Sequence, residues 1–171
     1  VANDQCSDAE LIDITELCVP LEFMTTNIDA CPENLPAGTF SLPCDFNSEE
    51  TSWYQFTAPG MGGDNPTMDF VFDSYTGSGT PFMGIFEFGA DCSNLTPVST
   101  TCRDGLNETF GNIGPFTPGN QYLIAISSYG DTGGDFEFTV KFNLGPDNDD
   151  PCAPEVSSDY NVPTDGTALN G

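Results

Sequence analysis

The fold class this sequence predicts is all-β, an antiparallel, jelly-roll-like β-sandwich stapled by disulfides, and three observations carry the prediction. Good helix formers seldom run together; Gly, Pro, Asp, Thr and aromatic residues dominate instead. The 18 glycines and 14 prolines cut the chain into short segments. Within those segments apolar and polar residues alternate with the two-residue period of a half-buried strand. With 171 residues, the chain is long enough for one domain that buries about 70% of its unfolded surface.

Taken in order, the predicted strands are SWYQFTA (52–58), TMDFVFDSY (67–75), PFMGIFEF (81–88), QYLIAISSY (121–129) and GDFEFTVKFNL (134–144), each read as alternating. In the second, Met68, Phe70 and Phe72 oppose Thr67, Asp69, Val71 and Asp73. In the last, Phe136, Phe138, Val140 and Phe142 oppose Asp135, Glu137, Thr139 and Lys141, giving one dry and one wet face. Pro118 and Gly119 sit where a type II turn uses them, just before the fourth strand. YGDTGGDF (129–136) supplies the turn residues between the last two strands.

The sandwich is expected to span 1–144. An acidic linker follows over 145–151, with two prolines and no apolar residue besides them. The chain then repeats its own opening: Asn148, Asp149, Cys152 and Glu155 echo Asn3, Asp4, Cys6 and Glu10, with one extra residue before the cysteine. Farther on, the Val162-Pro163 pair matches Val19-Pro20. The stretch 152–171 is too polar to fold alone. It is expected to lie extended on another copy of the domain, with Tyr160, Val162 and Leu169 as side-chain anchors and Cys152 at the junction. A contact of that kind that does not close builds a head-to-tail filament.

Charge narrows the function. Against 27 acidic residues stand only Arg103 and Lys141, a formal net charge of −25, so no basic patch for nucleic acid or an anionic membrane can be assembled. Such a surface is either simply soluble or screened by a divalent cation, and calcium is the cation its carboxylates suit. Acids spaced by turn residues make Asp64 with Asp69, Asp131 with Asp135, and the run Asp147, Asp149 and Asp150 the candidate ligands; capping of the turns themselves is the other reading.

Seven cysteines occur with no histidine and no C-x-x-C pair, which argues against zinc and for disulfides formed in an oxidising, extracellular setting. Many connectivities are open. Pairing between near neighbours is expected: Cys6 with Cys18, Cys31 with Cys44 and Cys92 with Cys102, leaving Cys152 over. No apolar run approaches eighteen residues. Without histidine, serine, cysteine and zinc hydrolase mechanisms lack their base or ligands. A glycosidase would need a carboxylate pair, and Asp69 with Glu87, on strands expected to be adjacent, is the candidate. Tyr75 and Tyr129, at the ends of polar loops, are candidates for stacking on a sugar or meeting a partner.

The motifs SWYQFTAPG, PFMGIFEFGADCSNLTPVSTTC and FTPGNQYLIAISSYGDTGGDFEFTVKF, with the NDxC opening, resemble the β-sandwich repeats of secreted surface proteins from gliding and adhesive Bacteroidota. They are also distantly similar to the bacterial pre-peptidase C-terminal domain. The resemblance covers residues 2–144. It implies extracellular export, near-neighbour disulfides, frequent calcium binding and no catalysis. The expected function is therefore a non-catalytic, extracellular structural or adhesive module at the cell surface, working with other copies of itself or with adjacent modules. A carbohydrate-binding module of a secreted enzyme, meeting surface glycans, is the alternative.

Overall fold

The computed structural model describes residues 2–30, 46, 50–60, 65–93, 95–98, 103–130 and 133–143. Two sheets pack face to face. Sheet A has the order β1 (Glu10–Leu11), β3 (Ser52–Thr57), β9 (Gln121–Ser128), β5 (Pro81–Phe88) and β6 (Leu95–Pro97), and β7 (Arg103–Asp104) also pairs with β5. Sheet B has the order β2 (Leu21–Thr26), β10 (Asp135–Asn143), β4 (Thr67–Tyr75) and β8 (Thr109–Ile113). A 3-10 turn over Cys6–Asp8 precedes β1, and no α-helix occurs among the described residues. All pairings are antiparallel except β1 with β3.

The five expected strands are all present, within a residue or so of their expected ends. Sheet B keeps the strict alternation. Met68, Phe70 and Phe72 of β4 and Phe136, Phe138, Val140 and Phe142 of β10 are buried against sheet A, while the intervening residues reach solvent in whole or part. Their rings interlock: Phe138 stacks on Phe70 at 5.3 Å and on Phe23 at 5.2 Å. Each such ring, moved out of water, stabilises the fold by roughly 1.5–3 kcal/mol.

Sheet A departs from the expected alternation. Residues Pro81–Phe86 of β5 and Tyr122–Ser128 of β9 are buried without a break, so both faces of this sheet are covered. One face meets sheet B. On the other, Trp53, Phe82, Phe86, Leu123 and Ala125 form a second cluster with Phe46 and Cys6. The Phe46 ring lies 5.0 Å from Phe82 and 5.7 Å from Phe86. Cys6 and Phe46 thus cover the outer face of sheet A at its centre.

Most connections cross from one sheet to the other. The glycine-rich stretch after β9 therefore makes no hairpin; it carries the chain from sheet A to sheet B. That crossing is held by Asn27, which is 1% exposed. Its amide nitrogen donates to Glu50 C=O (2.7 Å) and its amide oxygen accepts from Gly134 N–H (2.8 Å). Ser127 Oγ donates to the same Glu50 carbonyl. At the opposite end the expected type II turn is present: Gly119 has φ +82 and Asn120 N–H bonds Thr117 C=O at 3.1 Å.

Candidate functional site

The opening residues are fastened to the edge of sheet A by a specific construction. Asn3 C=O accepts from Trp53 N–H (2.9 Å), and Asn3 Nδ2 donates to Trp53 C=O (3.1 Å), so one asparagine satisfies both backbone groups that Trp53 turns toward this edge. Three residues on, Cys6 lies buried over the outer aromatic cluster and is bonded to Cys92, with 5.9 Å between the two Cα atoms. The chain then lines the edge of β3 as β1, and Ile12 turns into the main core. Asparagine, cysteine and a short strand therefore work together to fasten residues 3–12 around sheet A.

Beside this strip lies a groove of about 610 Å³, lined chiefly by Leu11, Ile12, Ile14, Ala58, Pro59 and Pro118. Leu11 is 65% exposed at its mouth. The backbone of β3 opens into it. Ile12 N–H donates to Gln55 C=O (2.8 Å), and the β1–β3 ladder stops there. On a strand, alternate residues bond to alternate sides. Trp53 and Gln55 face β1, whereas Ala58 bonds Asn120 and Gly119 on the β9 side. Thr57, the exposed last residue of β3, thus turns its N–H and C=O toward the groove, where no described strand lies beside it.

The expected disulfides are corrected. Cys6 and Cys92, assigned to different near neighbours, are bonded to each other across 86 residues of sequence. The pairs Cys6–Cys18 and Cys92–Cys102 are therefore wrong. Proximity in sequence misled because the strip over sheet A brings residue 6 beside the end of β5. Cys18 is also in a disulfide, with φ +66, and its partner lies outside the described residues. Cys31, Cys44 and Cys102 lie outside them too.

Asp69 and Glu87 do not form a carboxylate pair: β4 and β5 belong to different sheets. Asp69 lies at an irregularity of the β4–β8 pairing, between Met68 and Phe70. Its Oδ1 accepts from Asn112 N–H (3.0 Å), at a residue with φ +56, and its Oδ2 accepts from Asn143 Nδ2 (2.9 Å). Glu87 accepts from Asn120 Nδ2 at 2.7 Å. Asp69 faces Lys141 across β10, whereas Asp135 opens that strand beside Thr26, so the two candidate ligands are not brought together. No group of three or more His, Cys, Asp or Glu suited to a metal occurs among the described residues. Asp64, Asp131, Asp147, Asp149 and Asp150 lie outside them.

The two candidate tyrosines are partly buried, each packed against one of the two cores. Tyr75 stacks on Phe136 at 4.7 Å and donates its hydroxyl to Ser128 Oγ at 2.7 Å. Tyr129 stacks on Phe82 at 4.5 Å. Tyr75 ends β4 and Tyr129 directly follows β9, and both side chains remain partly exposed. The assembly candidates Cys152, Tyr160, Val162 and Leu169 fall outside the described residues.

Sequence reasoning missed Asn3, Cys6–Cys92 and Thr57 as partners in one edge. The recurrence of the Asn-Asp-Cys opening was the available signal. Comparison with known proteins yields no match to any family model, curated protein or solved structure.

Proposed function

We propose that the protein is a non-catalytic, extracellular structural or adhesive module that works in series with copies of its own fold, as a filament subunit or as a repeat of a large surface adhesin. One observation supports this reading above the others: the opening motif is a fastening device. Asn3 clamps Trp53, Cys6 is locked to Cys92, and the strand that follows extends sheet A. A chain that spells the same residues again at Asn148, Asp149, Cys152 and Glu155 carries a second fastener, to be used on a second copy of the sheet. Strand addition of this kind relies on main-chain hydrogen bonds, so it tolerates the polar composition of the segment.

Acidity fits the same reading. At a net charge of −25, copies repel one another until salt or a divalent cation screens them, and calcium outside the cell would serve. The test is sedimentation and electron microscopy of the full chain, with and without calcium, beside a chain cut after Leu144. The full chain is expected to form end-to-end assemblies and the cut chain to remain monomeric. Equal assembly by both would reduce the tail to a linker.

A further inference from the structure

Phe142, one residue before the end of β10, accepts a backbone hydrogen bond from Cys18 N–H (2.9 Å), and its ring lies 5.0 Å from that of Phe56. Phe56 precedes Thr57. The chain therefore leaves the sandwich at the same end as the groove into which Thr57 opens. We infer that this groove is the seat, within a single molecule, of the chain's own segment 152–171, and that head-to-tail assembly proceeds by exchanging this segment between copies.

Three physical arguments favour the chain's own segment over a second copy as the first occupant. The linker, residues 145–151, reaches about 23 Å when extended, a useful span for a groove at the same end of the sandwich as the exit of β10. A tethered segment acts at an effective concentration on the order of millimolar, roughly a thousandfold above a second copy at micromolar concentration. The net charge of −25 also holds a second copy away, whereas the tether has already brought the segment close.

The groove suits an extended occupant. Thr57 offers one donor and one acceptor in line with the β1–β3 ladder, and the floor around Ile12 and Ala58 is apolar. Tyr160 and Val162 stand two residues apart, so in an extended strand both point to one side. Pro163, which lacks an N–H, is tolerated because the added strand is an edge. The same segment and groove then serve two states, closed on one molecule or exchanged between molecules, and swapping an identical element needs no new contact surface. Only the exchange rests on the proposed function; occupancy of the groove does not.

The test is amide exchange at Thr57, followed by NMR in the full chain from dilute to concentrated solution, beside Val162→Asp. The expected result is a Thr57 amide that exchanges slowly at every concentration and roughly tenfold or more faster in the variant. Unchanged Trp53 fluorescence shows that the module itself is intact. Slow exchange that sets in only as assemblies form would make a second copy the sole occupant, overturning the inference and sparing the proposed function. Fast exchange throughout, insensitive to Val162→Asp, would remove the groove as a seat. Slow, variant-sensitive exchange in a chain that never assembles would keep the occupancy and overturn both the exchange and the serial reading.

Discussion

Tyr54 lies on β3 with its ring between Phe23 and Phe138 and is 1% exposed. Burial pushes its hydroxyl above the usual value of 10.0; the negative charge of Glu10 adds to this, while hydrogen bonds with Thr25 and Asn3 oppose it. Because the folded state holds this proton more tightly than the unfolded state, the stability tied to it is complete below pH 10 and is lost as pH rises through the folded value. Alkaline unfolding is thus expected to be shallower in Tyr54→Phe than in the wild type, measured as denaturant midpoints from pH 8 to 11.5. Parallel curves would deny Tyr54 the role. Asn27 offers a second test at this scale. Asn27→Ala removes the partner of the buried Gly134 N–H and one of two donors to Glu50 C=O, and should cost about 2 kcal/mol in urea unfolding. Asn27→Asp is expected to recover little, because a carboxylate cannot donate to Glu50.

At the scale of the strands, the two sheets differ in how plainly they are written. β4 and β10 read from the sequence because each has one dry face, and the side chains alternate accordingly. β5 and β9 carry unbroken apolar runs, MGIF and YLIAI, which is how a strand covered on both sides reads; taking them as alternating hid the outer layer. Gly84 marks the same layer. A Cβ there would lie 2.9 Å from the Phe46 ring and 3.0 Å from Phe86. Gly84→Ala should therefore overpack the outer cluster, lowering stability by about 1–3 kcal/mol and changing the emission of Trp53, the only tryptophan. An unperturbed melting temperature would show that the layer yields freely. Asp69 joins β8 and β10 to β4 through its two carboxylate oxygens. Its replacement by Asn keeps the shape of the side chain but not the charge, and is expected to be milder than replacement by Ala.

For the whole molecule, the long-range Cys6–Cys92 bond matters more than any short staple would. A bond closing 86 residues of sequence restricts the unfolded chain strongly, so Cys6→Ser with Cys92→Ser is expected to cost about 2–5 kcal/mol. Thermal melting of the double variant measures this, and a near-normal melting temperature would mean that Asn3 and β1 suffice to hold the strip. The uniform acidity acts at the same scale. Sodium chloride should raise the melting temperature by screening self-repulsion, and calcium at matched ionic strength should raise it further; identical curves for the two salts would take calcium out of the reading.

Composition and periodicity by themselves determined the all-β class, the five principal strands, the type II turn at Pro118-Gly119 and the exclusion of basic-patch binding. These depend on local geometry and total charge, which neighbouring residues already express. Tertiary structure decided which strands share a sheet, and with that separated Asp69 from Glu87, joined Cys6 to Cys92 and packed Tyr75 and Tyr129 against the two cores. Most connections here cross between the sheets, so strands consecutive in sequence are seldom partners in space. The role of Asn3 became legible only with Trp53 beside it, because a side chain that imitates a peptide group is recognisable by what it bonds, fifty residues away.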